Sequence, residues 1–176
     1  HEIGHQFSAQ HTFSYQTNLT DKSVEPGSGT TIMSYAGVAS PSNVQGHSDP
    51  YFHYVTIDQN TDFVLNTATC NSSSSISNDV PSVNAGTDIA IPQGTAYKLE
   101  ATASDANFPI YYSWEQLDGN QQIVQGNFGP TNTTGAMARS FLPTSTNIRY
   151  IPNMSRVVSG TLTKTNPTND TSFPAS

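Results

Sequence analysis

The sequence predicts an α+β chain in two parts: a helical and loop-rich segment over residues 1–66 and an antiparallel β-sandwich over residues 81–176. Three observations carry this. Histidines recur at a helical spacing at the very start. Apolar residues alternate with polar ones beyond Pro81, at the period of two that suits a strand. Between these regimes lies a polar low-complexity run containing Ser72-Ser73-Ser74-Ser75, so residues 67–80 are the expected linker. A chain of 176 residues accommodates one ordinary domain or two small ones.

The first element is the opening run His1-Glu2-Ile3-Gly4-His5-Gln6-Phe7-Ser8-Ala9-Gln10-His11. Helical residues four apart share a face about one turn, roughly 6 Å, apart. A helix from His1 to about Ser8 therefore points His1 and His5 at a common atom, with Glu2 beside that face. His11 lies too far along to share it, unless the chain turns back near Ser8. With such a turn the third imidazole closes a three-nitrogen set. Three neutral imidazoles and one open position describe a catalytic zinc site, with Zn–N of about 2.0–2.1 Å. Zinc there would bring the pKa of a bound water to about 7, and Glu2 would take its proton as general base.

The HExxHxxxxxH string resembles the zinc-binding motif of the metzincin metallopeptidases, whose usual form is HExxHxxGxxH followed by a Met-turn. Gly29-Thr30-Thr31-Ile32-Met33-Ser34-Tyr35-Ala36-Gly37 is similar to that turn. The wider run from Glu25 to Gly37, with Asn43-Val44-Gln45 and Ser48-Asp49-Pro50-Tyr51-Phe52-His53, resembles the reprolysin-like branch of secreted bacterial peptidases. The resemblance implies zinc on His1, His5 and His11, Glu2 as catalytic base, and Met33 as an apolar floor that does not bind the metal. It also implies a polypeptide substrate. Tyr35 falls where astacin and serralysin relatives place a tyrosine that approaches zinc or the oxyanion; a packed aromatic is the other reading. Where the family carries Gly, this chain has Ser8. The family's helix stops there in a left-handed conformation that costs Ser more than Gly, so the turn here is expected to be strained or differently shaped, and His11 is the least secure of the three ligands.

Residues 12–30, punctuated by Asn18, Asp21, Pro26, Gly27 and Gly29, read as a loop wrapping the site. Ala39–Gly46 continues as loop, and Tyr51–Val55 as a short extended stretch. Thr56-Ile57-Asp58-Gln59 has the form of a capping box, Thr followed three residues later by Gln, opening a helix to about Leu65. In the resemblance this is the last helix of the catalytic domain. His47 and His53 read as surface and packing residues.

Beyond the linker, Asp88–Ile91, Ala96–Ala101 and Ile110–Leu117 read as strands separated by Pro92-Gln93-Gly94 and Asp105-Ala106-Asn107. Arg139–Pro143, Asn147–Pro152 and Val157–Leu162 supply later strands, and Asn166–Ser176 reads as a flexible tail. Trp114 lies mid-strand, as a core Trp does in an immunoglobulin-like sandwich. Val83–Asp88, Leu99–Asp105 and Tyr112-Ser113-Trp114-Glu115-Gln116 resemble PKD-like immunoglobulin-fold modules of secreted bacterial enzymes. Trp114 and Tyr112 are read as core or sheet-face residues rather than a sugar platform, and the Asp105/Asn107 turn as solvated rather than calcium-binding. The two resemblances cover roughly residues 1–66 and 81–152, so the chain reads as a piece of a larger protein.

Composition narrows the alternatives. Charged residues are 11% of the chain, and 13 acidic against 6 basic give a formal net charge of −7, with no basic patch to suit nucleic acid. No apolar run reaches the ~18 residues of a membrane span. Cys70 is the only cysteine, which excludes a disulfide within the chain. Low charge with abundant Thr and Asn suits a secreted, extracellular protein. The N-x-S/T matches at Asn18, Asn71, Asn132, Asn153 and Asn169 are what such a composition gives by chance. Two functional classes remain: a zinc endopeptidase, or an extracellular β-sandwich adhesion module in which the histidines are a remnant.

Overall fold

The computed structural model describes residues 1–129 and 132–163. The first helix, α1, spans Glu2–Gln6. Five residues are too few for a helix to persist on propensity, so packing must hold it. That packing is at Gly4, buried directly over the fully buried Met33. The helix ends a little short of the expected Ser8: Phe7 caps it, and Ser8 takes φ +68, the strained left-handed form of the two that were open. Ala9 N–H donates to Gly4 O and Ser8 N–H to His5 O, both at 3.0 Å, the bond pair of a Schellman turn.

The segment 12–35 has no long strand yet is tightly ordered. Glu25 N–H donates to Thr12 O at 2.8 Å and Thr12 N–H to Met33 O at 3.1 Å, so three stretches lie side by side. Phe13 and Glu25 form a parallel bridge. Ser23 through Thr31 are buried without interruption, an unusual state for a polar loop, and their polar groups must find partners inside.

Helix α2 spans Tyr54–Asp62 and runs on into a π-helical turn, Phe63–Thr67. The expected start at Thr56 is therefore two residues late. His53 is the cap: its Nδ1 accepts from Val55 N–H at 3.3 Å, and its ring is fully buried. Thr56 lies inside the helix, and Gln59 reaches away to another segment instead of closing a capping box. Phe7 meets Phe63 edge to face, centroids 6.0 Å apart, which docks the end of α1 on the end of α2.

Residues 81–152 form two small antiparallel sheets. Strand β1 (Ser82–Asn84) pairs with β3 (Thr102–Ser104), with Val83 opposite Ala103. Strand β2 (Tyr97–Glu100) pairs with β4 (Ile148–Ile151), with Leu99 opposite Arg149. The expected strand at 88–91 is an exposed irregular stretch. That at 110–117 pairs only through a bridge between Tyr112 and Thr144, and 139–143 has no ladder partner. The expected Val157–Leu162 strand is overturned: Met154–Ser159 is a helix, α3. Asn153 caps it by accepting from Arg156 N–H at 3.1 Å, and Gly160 ends it at φ +70. Those caps outweigh the β preference of two adjacent valines. The described residues thus show an α+β arrangement, but not a complete immunoglobulin-type sandwich. The Asn166–Ser176 tail lies outside the described residues.

Segments from either side of residues 67–80 meet in space. Val44 from the first shares a buried cluster with Ile123 and Phe128 of the second, with Met137 packed against it. Gly27 N–H donates to Ile123 O and Ile123 N–H to Ser14 O. Thr30 Oγ1 donates to Ser140 O at 3.0 Å, and the Arg139 guanidinium bonds Gln45 Oε1. Arg139 and Arg149 each lie 4.8 Å from the Phe141 ring, and burial brings the Arg149 pKa down to about 10, leaving it charged at neutral pH. At the start of α2, Glu115 Oε2 accepts from Tyr54 N–H at 2.7 Å and lies 3.7 Å from His53 Nδ1. No helix among the described residues is long and apolar enough to cross a membrane.

Candidate metal centre

The three histidines of the opening run converge through their Nε2 atoms. His5 Nε2 lies 3.0 Å from His11 Nε2, which lies 3.2 Å from His1 Nε2. The protons on the other ring nitrogens explain why this arrangement is unusual. His1 Nδ1 is 2.7 Å from Ile32 O, and His5 Nδ1 is 2.7 Å from Ala9 O. A carbonyl oxygen can only accept, so both Nδ1 atoms carry the proton and both Nε2 atoms present lone pairs. A single proton on His11 Nε2 can serve only one of those lone pairs at a time. The set lacks donors, and a cation would complete it. Backbone carbonyls fixing the far nitrogen are also the usual support for imidazoles that bind metal.

Aromatic rings fix the third imidazole. Phe13 stacks on His11 with centroids 4.8 Å apart, and Tyr35 lies 4.6 Å from His11 and 5.5 Å from His1. Burial, and then the neighbouring His5, push the His11 pKa down, while Glu2 pulls it back up. The net effect keeps that ring neutral, the form whose lone pair can bind. Glu2 itself opens α1 with an exposed side chain, free to face solvent or a substrate. His47 stays apart as an exposed residue, and His53 is occupied in capping α2. Among the described residues, His1, His5 and His11 form the one convergent set of metal-capable side chains.

Three further residues shape the site and had no sequence motif to reveal them. A Cβ on Gly4 would sit 2.5 Å from Met33 Sδ, so glycine here allows the methionine to press against the helix between the first two histidines. Glu25 is a fully buried carboxylate that ties the neighbour of His11 to the turn beneath it. Thr12 Oγ1 and Thr31 Oγ1 each donate to Oε2 at 2.6 Å, while Thr30 N–H and Thr30 Oγ1 donate to Oε1 at 3.0 and 3.1 Å. Thr31 precedes Ile32, whose carbonyl orients His1, so this one side chain braces two of the three imidazoles. Gln59, from α2, bonds the turn between Ser8 and Gln10. Its partners lie 49 and 51 residues away, beyond any local pattern.

Residues 1–63 match the family model described as Metallo-peptidase family M12B Reprolysin-like. No curated protein and no solved structure matches the chain. The family match supports a metzincin-like zinc peptidase for the part of the chain that carries the three histidines.

Proposed function

We propose that residues 1–66 are the C-terminal half of the catalytic domain of a secreted zinc endopeptidase, with zinc held by His1, His5 and His11. The observation that carries this reading is the convergence of three Nε2 atoms within 4.8 Å of one another, two of them with the proton fixed on the far side of the ring. Zinc, when bound, supplies Lewis acidity and activates water for attack on a peptide carbonyl. The protein's own groups do the remaining work. Glu2 accepts a proton on its carboxylate from the attacking water and returns it to the nitrogen of the leaving amine. The Tyr35 phenol, beside two of the imidazoles, donates a hydrogen bond to the carbonyl oxygen as negative charge builds there. Met33 and the Glu25 network keep the imidazoles in register without touching substrate.

We also read residues 81–152 as an immunoglobulin-like module. The support is that 102–104 pairs antiparallel with 82–84 and the adjacent 97–100 antiparallel with 148–151, so that early and late stretches of the module meet around one short segment.

The test is metal content first and hydrolysis second. Purified chain dialysed against zinc should hold one equivalent; Glu2→Ala should keep that zinc, and His5→Ala should lose it. Residues 1–66 being half a catalytic domain, cleavage is expected to be weak or absent in this chain and is read in the parent protein, where hydrolysis of a quenched fluorescent peptide should vanish on chelation and in Glu2→Ala. Substoichiometric zinc in the wild type, or cleavage indifferent to chelator, would sink the proposal.

A further inference from the structure

We propose that Gln59 is a positioning residue for the metal site: it clamps the turn that delivers His11, and it is needed because Ser8 occupies a left-handed backbone position. This rests on the zinc reading above.

Helix α1 ends at Gln6, so no helical bond constrains His11. Phe13, Tyr35 and the Thr12–Glu25 bond hold it from one side, and residues 7–10, which follow the helix, deliver it from the other. The Schellman bonds hold that reversal as far as Ala9, and the His5 ring holds Ala9 O. Two backbone groups of the reversal, Ser8 O and Gln10 N–H, point the other way, toward α2. The carboxamide of Gln59 takes both: Nε2 donates to Ser8 O at 3.3 Å and Oε1 accepts from Gln10 N–H at 3.2 Å. Only one orientation of the amide satisfies a carbonyl and an N–H together, so the pair defines the side chain. Glutamate could accept from Gln10 but could not donate to Ser8, and asparagine is one methylene shorter.

The clamp matters more here than over a glycine. Ser8 at φ +68 carries a Cβ that disfavours this conformation, so a turn left alone would relax toward other backbone angles and carry His11 with it. The anchor is firm at its other end. Helix α2 is docked on α1 through Phe7 and Phe63, and its first N–H is capped by Glu115, from beyond the linker. The second half of the chain thereby contributes to holding the third imidazole in place.

The experiment compares five versions of the whole chain: wild type, Gln59→Ala, Gln59→Glu, Ser8→Gly and the Ser8→Gly/Gln59→Ala double variant. Zinc affinity is read by competition with a chromophoric chelator, the visible spectrum of the Co2+ form reports ligand geometry, and urea midpoints monitor the fold. Gln59→Ala should weaken zinc binding ~10-fold, the lower end of what outer supports of metal ligands are worth, and alter the Co2+ bands. Ser8→Gly should bind at least as tightly as wild type, and in that background Gln59→Ala should cost much less. Gln59→Glu, isosteric, should fall between and carries the comparison if the alanine variant does not fold. Equal zinc affinity for wild type and Gln59→Ala, or an undiminished loss in the Ser8→Gly background, overturns this inference alone. A wild type that takes up no zinc brings down the zinc reading and this inference together.

Discussion

Replacing Glu25 by alanine should be among the most damaging single changes in residues 1–66. The carboxylate is fully buried and accepts from Thr12 Oγ1, Thr31 Oγ1, Thr30 N–H and Thr30 Oγ1. Alanine leaves those donors facing a void. Thr30 Oγ1 retains Ser140 O as a second acceptor, at 3.0 Å, and the Thr12 and Thr31 hydroxyls lie 3.5 Å apart, close enough to turn toward one another. Thr30 N–H has no such recourse. Nor has Thr31 N–H, which donates to the two carboxylate oxygens at 3.3 and 3.4 Å. Counting two amides and one hydroxyl as orphaned, at about 1–3 kcal/mol each, gives a loss of about 6 kcal/mol, with the cavity adding to it. Glutamine keeps one oxygen and the volume, and converts two charge-assisted bonds into neutral ones worth about 1 kcal/mol less apiece, so Glu25→Gln should cost about 2 kcal/mol. Urea unfolding in the presence of chelator measures both without a contribution from zinc. A loss below ~1 kcal/mol for Glu25→Ala would refute the reasoning, because the buried donors would then be satisfied some other way.

Other perturbations test separate parts of the site. Gly4→Ala gains up to ~1 kcal/mol of helix propensity but forces Met33 Sδ away from a Cβ 2.5 Å distant. Overpacking of about 1–3 kcal/mol should prevail, and a net rise in the urea midpoint would contradict that packing. His11→Ala should weaken zinc binding by more than ~100-fold, beyond what loss of an outer support causes; a smaller change by chelator competition would mean that the third imidazole is not a ligand. Zinc at about 1,000 times its Kd should stabilise the chain by ~4 kcal/mol, read as a higher thermal midpoint, and His5→Ala should abolish that gain. Burial raises the Glu115 pKa above the ordinary 4.5, outweighing the opposing pull of His53 and the Tyr54 N–H. A raised folded-state pKa means that this group's contribution is present below about pH 4.5 and is lost as pH climbs through the folded value. Glu115→Gln should therefore lose less stability than wild type between about pH 4 and about pH 7. Parallel urea titrations across that range check it, and identical slopes would refute it.

By itself the sequence determined which imidazoles could meet, because their spacing is local. His1 and His5 are one helical turn apart whatever surrounds them, and the reversal at Ser8 follows from where the helix must stop if His11 is to return. Caps spanning a few residues were legible in principle too, although the Asn153 and Gly160 pair went unread behind two valines and the cap of α2 proved to be His53, not Thr56. The strand pattern beyond Pro81 holds for residues 97–100 and 148–151, which pair with each other, misses the strands at 82–84 and 102–104, and fails at 88–91, an exposed irregular stretch. Only the tertiary structure decided how the imidazoles are held. Glu25, Gln59 and Glu115 act on groups 13, 49 and 61 residues away. Nothing in their local sequence marks them, because a polar side chain without periodicity looks the same whether it faces solvent or braces a buried turn. Which of the two it does is settled only when the folded chain brings a distant donor within about 3 Å of it.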